Sequence, residues 1–247
     1  MNSPSATASV PDVTTLIGVP RLEVKNLKKE FILHLQNKTR LSVFNDLSVT
    51  VHAGECVVLV GPSGMGKSSL LKCVYGNYHI NGGHILLHFD DGELDIAQAD
   101  ARWIYSLRKH SIGYVSQFLR VLPRIPAIDI VMEPLLLQGV DRNEAKGKAE
   151  KMLSRLNIPQ RLWCLSPTTF SGGEQQRINI AQSFIADFPV LLLDEPTASL
   201  DAKNREVVVA LILEAKAKGA AILGIFHDEE VRDQVADELI DLAENAA

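Results

Sequence analysis

The sequence predicts an α/β fold, with a parallel-sheet core, an antiparallel β portion ahead of it and a helical portion inserted into it. Three observations point that way. Short runs at 55–60, where β-branched residues are frequent, and at 112–116, 190–193 and 220–226 read as buried parallel strands. Polar and apolar residues alternate over 21–27 and 41–49, the period of strands with one solvated face. Between about 118 and 170 there is no strand pattern, and helical periodicity replaces it.

Taken in order, the first 19 residues are rich in Ser, Thr, Ala and Pro and lack the basic start and long apolar stretch of a secretory signal, so they read as a flexible tail. The strands at 21–27 and 41–49 flank a polar, turn-like stretch at 34–40, which suits an antiparallel pair. Phe31 lies just before that turn. It is either an ordinary core residue or a surface for a nucleobase, since every base has a π face. The strand at 55–60 then runs into Gly61-Pro62-Ser63-Gly64-Met65-Gly66-Lys67-Ser68, and Ser69 leads into a helix over 69–74. This is a full match to G-x-x-x-x-G-K-S/T in the required order of strand, loop and helix. The glycines let successive N–H groups close on phosphate oxygens, and the helix N-terminus adds partial positive charge. Lys67 is expected to reach the β and γ phosphates and Ser68 to hold Mg²⁺, so a nucleotide such as ATP is the expected ligand.

A turn-rich connection at 77–83 precedes a strand at 84–89 and a turn at 90–92; a helix at 101–109 precedes the strand at 112–116, which ends on Gln117. A helix over 128–138 should kink or break at Pro134. Another over 141–156 places Ala145, Ala149, Met152, Leu153 and Leu156 on one face, with its charged face left to solvent. Turns at 157–160 and 166–168 lead to Ser171-Gly172-Gly173-Glu174, ahead of a helix from about 174 to 186. That start is either a plain loop and cap or a second place where N–H groups and a serine hydroxyl meet a phosphate.

The strand at 190–193 ends in Asp194 and Glu195. Adjacent carboxylates there repel each other and resist desolvation unless something positive compensates. A metal-bound nucleotide and an attacking water supply a reason, with Asp194 on the metal side and Glu195 polarising the water; the plainer alternative is an acidic capping turn. A polar turn at 197–201 contains Asp201, and a helix over 203–218 closes at Gly219. The strand at 220–226 ends at His227, on the sheet edge where ligands bind in open α/β folds. A helix at 229–235 and a strand at 239–242 complete the pattern.

Composition narrows the classes. With 247 residues, 46% hydrophobic, the chain can bury a full core. A net charge of -5 gives no basic footprint for a nucleic-acid partner. Cys56, Cys73 and Cys164 have no zinc or disulfide spacing, which suits a reducing, cytoplasmic setting, and no apolar run approaches the roughly 20 residues that span a bilayer.

With the loop at 61–68, Gln117, the stretch at 171–177, the strand end at 191–196, the turn at 199–201 and His227 in this order, the chain from about 21 to 242 resembles the ATP-binding-cassette (ABC) ATPases. These are ABC-type P-loop NTPases with a RecA-like parallel-sheet core. The resemblance implies one ATPase domain over 20–242, with a helical subdomain at about 118–170 and a short tail at 243–247, and Mg²⁺-dependent ATP hydrolysis. It also implies a head-to-tail dimer, with itself or a sister ATPase, in which Lys67 and Ser68 of one subunit and Ser171, Gly172, Gly173 and Glu174 of the other enclose each ATP. By the same likeness Phe31 stacks on adenine, Gln117 links Mg²⁺ to a partner-facing loop, His227 positions the γ-phosphate and Asp201 crosses the interface. Met65, Phe170 and Glu174 depart from the common pattern without removing a catalytic group. The stretches at 31–37, 116–125, 170–180 and 224–229 are similar to ATPases of the bacterial carbon-phosphorus lyase system. That likeness implies a role in phosphonate catabolism, including formation of ribose 1-methylphosphonate 5-triphosphate, with lyase core subunits as partners. The alternative is an ATPase subunit that energises a membrane permease.

Overall fold

Alternation at the start of the chain builds two long antiparallel strands, β1 (Pro20–Leu33) and β2 (Thr39–His52). In the computed structural model, which describes residues 18–33, 39–90, 92–117, 119 and 123–245, they join β4 (Gly82–Phe89) and β5 (Gly92–Asp95) in a four-stranded sheet of order β2-β1-β4-β5. The expected tail at 1–17 and parts of the stretches at 31–37 and 116–125 lie outside the described residues.

The apolar runs form the second sheet. Its strands are β3 (Cys56–Val60), β6 (Ile112–Val115), β7 (Val190–Asp194), β8 (Ala221–Ile225) and β9 (Glu238–Asp241). All are parallel, in the order β6-β7-β8-β3-β9. The strands β3, β7 and β8 are apolar without alternation because this sheet has a core on each face, whereas the edge strand β9 carries Glu238 and Asp241 and stays partly exposed. Val58, Leu191, Leu193 and Ile222 point into one core, with Met132, Leu153 and Ile178 from the helices. Val57, Leu59, Leu192 and Leu223 point into the other, against Leu22, Leu47, Ile85 and Leu87 of the antiparallel sheet and Leu70 and Leu71 of α1 (Lys67–Val74). A strand buried on both faces has no position where a polar side chain reaches water.

The remaining helices are α2 (Ala101–His110), α3 (Ala127–Leu137), α4 (Arg142–Arg155), α5 (Gly172–Phe184), α6 (Ala202–Ala217) and α7 (Glu229–Val235). Ala145, Ala149, Leu153 and Leu156 are fully buried, the face expected of α4. Several expectations need correction. Helix α3 is not interrupted at Pro134, and the Gln138 N–H closes its last turn on the Pro134 carbonyl. Helix α5 starts at Gly172, two residues early, because Ser171 caps it. Gly18 and Val19 do not belong to a free tail, since both are hydrogen-bonded to Ala53. At the other end a 3₁₀ turn (Leu242–Asn245) replaces the start of the expected tail, with the Ala243 N–H bonded to the Asp241 carboxylate. Strand β5 was not expected, because Gly-Glu-Leu-Asp has no sheet period; cross-strand pairing from Leu86 to Phe89 makes it a strand.

Cys56 and Cys73 are buried core residues, and burial pushes their thiols up to about 12 and about 11. Gly83 marks where β4 meets β1. Its φ is +86°, and a Cβ there would overlap the Lys25 and Asn26 carbonyl oxygens. Backbone cannot yield as a flexible side chain can, so Gly83→Ala should lower unfolding stability by about 3 kcal/mol, read as a shifted urea midpoint with an unchanged slope.

Candidate nucleotide site

Parallel strands place their C-terminal ends along one edge of the sheet. Here that edge carries, in sheet order, Gln117 after β6, Asp194 and Glu195 at β7, His227 after β8, the glycine loop after β3 and Asp241 at β9. Residues spread from Gly61 to Asp241 thus share one edge because of strand order alone.

The loop is built to leave donors free. Helices α2, α4, α5, α6 and α7 each have a side chain of Asp or Ser accepting from first-turn N–H groups. Helix α1 has none: its N-cap is Gly66, with no acidic residue in the first turn. Its leading N–H groups and partial positive charge therefore face the loop without a side-chain acceptor. Gly66 is required there, because its φ is +93° and a Cβ would overlap Val43 and come within 2.9 Å of the Phe44 ring. Lys67, only 9% exposed, folds back and donates to the Gly61 carbonyl at 2.6 Å and the Pro62 carbonyl at 3.0 Å. Pro62, Ser63, Gly64 and Met65 form the rest of the turn, and Ser69 lies in the first turn of α1.

Next to the loop, the Ser68 hydroxyl donates to Asp194 Oδ1 at 2.9 Å, and the Tyr114 hydroxyl donates to Oδ2 at 3.2 Å. Asp194 is 2% exposed, and burial raises its pKa against the opposing pull of Ser68 and Tyr114. Between the ordinary carboxylate pKa and this raised one, the folded chain holds a proton that the unfolded chain has released. Stability from this group is therefore present below the ordinary value and lost as pH rises through the raised one. Asp194→Asn removes the titration. Measured as the difference in melting temperature from the unaltered chain, the variant should gain as pH rises through that interval, because the cost of ionising a buried Asp194 is gone.

Glu195 occupies the left-handed region at φ +54°, an arrangement that costs a residue with a side chain about 1 kcal/mol. It is held there by its N–H on the Ile225 carbonyl and by its carboxylate, 2.8 Å from His227 Nε2. Gln117 Nε2 approaches the other carboxylate oxygen at 3.5 Å. Strain of this kind persists where neighbours over-determine it, and here it accompanies a carboxylate placed between His227 and Gln117.

The second group of expected residues stands apart. Ser171 and Glu174 form a reciprocal capping box at the head of α5, and Gly173 packs beside the Ser199 carbonyl. Asp201 caps α6, accepting from the N–H and side-chain amide of Asn204. Among the described residues none of Ser171, Glu174 or Asp201 bonds to the glycine loop. Phe31 sits edge-on to Tyr78, 5.3 Å between ring centres, with the Lys29 ammonium 4.5 Å from its own centre. Tyr114 and Tyr78 were not singled out from sequence, because an aromatic in a short strand or turn reads as core.

Residues 44–198 match the ABC transporter family. The chain belongs to that family. The ABC cassette binds and hydrolyses ATP. It is 36% identical over 211 residues, 85% of this chain and 90% of the relative, to the lipoprotein-releasing system ATP-binding protein LolD of Geobacter metallireducens. It is 34% identical over 226 residues to an uncharacterized ABC transporter ATP-binding protein of Mycobacterium tuberculosis, covering 92% of this chain and 66% of that longer protein. The ATP-binding cassette MJ0796, solved as a dimer in a post-hydrolysis state with ADP and Pi, shares the fold: TM-score 0.79 at 24% identity, over 89% of this chain and 93% of that one.

Proposed function

We propose that this cassette hydrolyses Mg²⁺-ATP along the strand-end edge, as one half of a head-to-tail pair, and that closure of the pair drives a membrane permease. The observation that supports the chemistry is the uncapped start of α1 lying beside Ser68–Asp194 and Glu195–His227. Anionic phosphates meet free N–H groups there, and Lys67 exchanges its loop carbonyls for the β and γ phosphates.

The Ser68 hydroxyl and Asp194 carboxylate are two hard oxygen donors within hydrogen-bond distance, a fit to Mg²⁺, with Gln117 one strand away. Ser68 and Asp194 would hold the ion together with oxygens of the bound nucleotide and water. When bound, the ion neutralises charge on the phosphate oxygens. Glu195 accepts a proton from the water that attacks the γ-phosphorus, as the bond to the β-phosphate oxygen breaks and ADP departs. His227, 2.8 Å from the carboxylate, fixes it and in this reading positions the γ-phosphate. Ser171, Gly172, Gly173 and Glu174, unbonded to their own loop, serve the nucleotide of the paired subunit, and the dimeric state described for MJ0796 supports such a pairing. In the pair Asp201 crosses the interface, while Phe31 and Tyr78 receive the adenine.

The permease is supported by the relatives, whose names make them ATP-binding proteins of a lipoprotein-releasing system and of an ABC transporter. No helix among the described residues is long and apolar enough to cross a membrane, so the spanning part lies outside them. The cassette works at the cytoplasmic face, and Gln117 and the helices that follow it provide the contact. A second reading, an ATPase of the carbon-phosphorus lyase machinery, is favoured by the stretches at 31–37, 116–125, 170–180 and 224–229; neither relative named above carries that function in its name. Affinity purification of Glu195→Gln with Mg²⁺-ATP, from detergent-solubilised membranes and from the soluble fraction, separates them. A co-eluting permease supports the first reading, and soluble lyase subunits without a permease overturn it in favour of the second.

A further inference from the structure

A cavity lies away from the nucleotide edge. It has a volume of about 800 Å³ and is walled by α4, the ends of α5 and α6 and the entries to β7 and β8, including Pro189 and Ala220. Asp194 and His227 stand at the opposite ends of these two strands, and the glycine loop follows β3 at that same opposite edge. Strand β7 is 5 residues long, which puts roughly 15 Å between the cavity and the nucleotide edge.

The lining has two characters. Met152, Phe184, Phe188, Leu191 and Leu211 give it an apolar floor. Around it stand five cations, Arg21, Lys148, Lys151, Arg155 and Lys218, and three carboxylates, Asp90, Asp187 and Glu214. Every carboxylate is already paired within the cavity: Asp90 with Arg21 at 2.9 Å, Asp187 with Lys218 at 2.9 Å, and Glu214 with Arg155 through two bonds of 2.5 and 2.7 Å. Lys148 pairs with Glu144, outside the cavity, and Lys151 makes no ion pair among the described residues. In a chain of net charge -5, this rim thus has a local surplus of positive charge over a greasy floor.

We infer that this cavity is a second ligand site, for a small amphipathic anion with one acidic head on an aliphatic or aromatic body. The head sits between Lys148 and Lys151, and the body lies on the floor beneath. The volume suits a ligand of that size. The occupant bridges α4 to α6 beside the Arg155–Glu214 pair. It also touches β7 and α5, the elements whose far ends carry Asp194 and Ser171. Because it enters from the opposite sheet edge, it does not compete with ATP.

The test titrates the full chain with 1-anilinonaphthalene-8-sulfonate, an aromatic anion, and follows fluorescence. Saturation at one site per chain is expected, unchanged by saturating Mg²⁺-ATP and reversed by decanoate. The double variant Lys148→Glu/Lys151→Glu should weaken the probe about tenfold with ATP hydrolysis unaltered. Lys151→Ala, which breaks no ion pair, should weaken it several-fold and guards against a folding effect in the double variant. Displacement of the probe by ATP, or equal affinity in both variants, overturns the assignment. Phosphatidylglycerol vesicles form the last arm. Binding to vesicles with no competition from decanoate would make this a membrane-facing patch and overturn the small-ligand site.

Discussion

Glu195→Gln stops turnover while ATP stays bound. The substitution preserves shape: glutamine can still face His227 Nε2 with one of its polar atoms, and the backbone bond from residue 195 to Ile225 does not involve the side chain. What disappears is the base proposed to take the proton from water, and a positioned general base is worth about 10³-fold in rate. Steady-state phosphate release should fall by about that factor, while equilibrium binding of Mg²⁺-ATP changes less than about threefold. Because product formation is what reopens a closed pair, the variant with ATP should also elute as a larger species than it does with ADP. Hydrolysis near the unaltered rate would assign the base elsewhere, with His227 the next group to examine.

Lys67→Ala has the complementary signature. Lys67 is bonded to the Gly61 and Pro62 carbonyls, which can turn to water when the ammonium is lost. Its loss therefore alters the fold little. Its larger role begins with nucleotide, where an ammonium makes charge-assisted bonds to phosphate oxygens; losing these weakens ATP binding by about a hundredfold. The weakening should be smaller for ADP, which lacks the γ-phosphate. Calorimetric titrations with both nucleotides, alongside melting curves without either, would separate the two contributions. Equal loss for ATP and ADP would mean that Lys67 does not reach the γ position.

The two variants also show what could be read from sequence. The glycine loop was legible because its chemistry is local, with strand, turn, lysine and helix following one another without a gap. Asp194, Glu195, His227 and Gln117 were legible as strand ends, and the parallel sheet does place all four on one edge. Their contacts were not legible. That Tyr114 bonds Asp194 follows from the register of β6 on β7, which alternation cannot supply for strands buried on both faces. Strand β5 exists through its partner, and Pro134 sits within α3 without ending it. Asp201 was read as an interface residue from family likeness, while the single chain uses it as a helix cap. A cap is a local bond and can be exchanged when a second surface arrives.

The capping box at Ser171 has a consequence for how two cassettes meet. The Ser171 hydroxyl donates to Glu174 at 2.7 Å, and that bond, with the Ser171 N–H, holds the Glu174 carboxyl below the usual carboxylate range. Glu174 thus stays ionised through neutral pH. A γ-phosphate approaching this helix start from another subunit must draw the hydroxyl away from a carboxylate and then sit beside that negative charge. A glutamine at 174 would release the hydroxyl with no such repulsion. In the pairing proposed above, the helix start would act as a threshold that repels a loosely presented nucleotide and yields only to a fully seated triphosphate whose charge is neutralised.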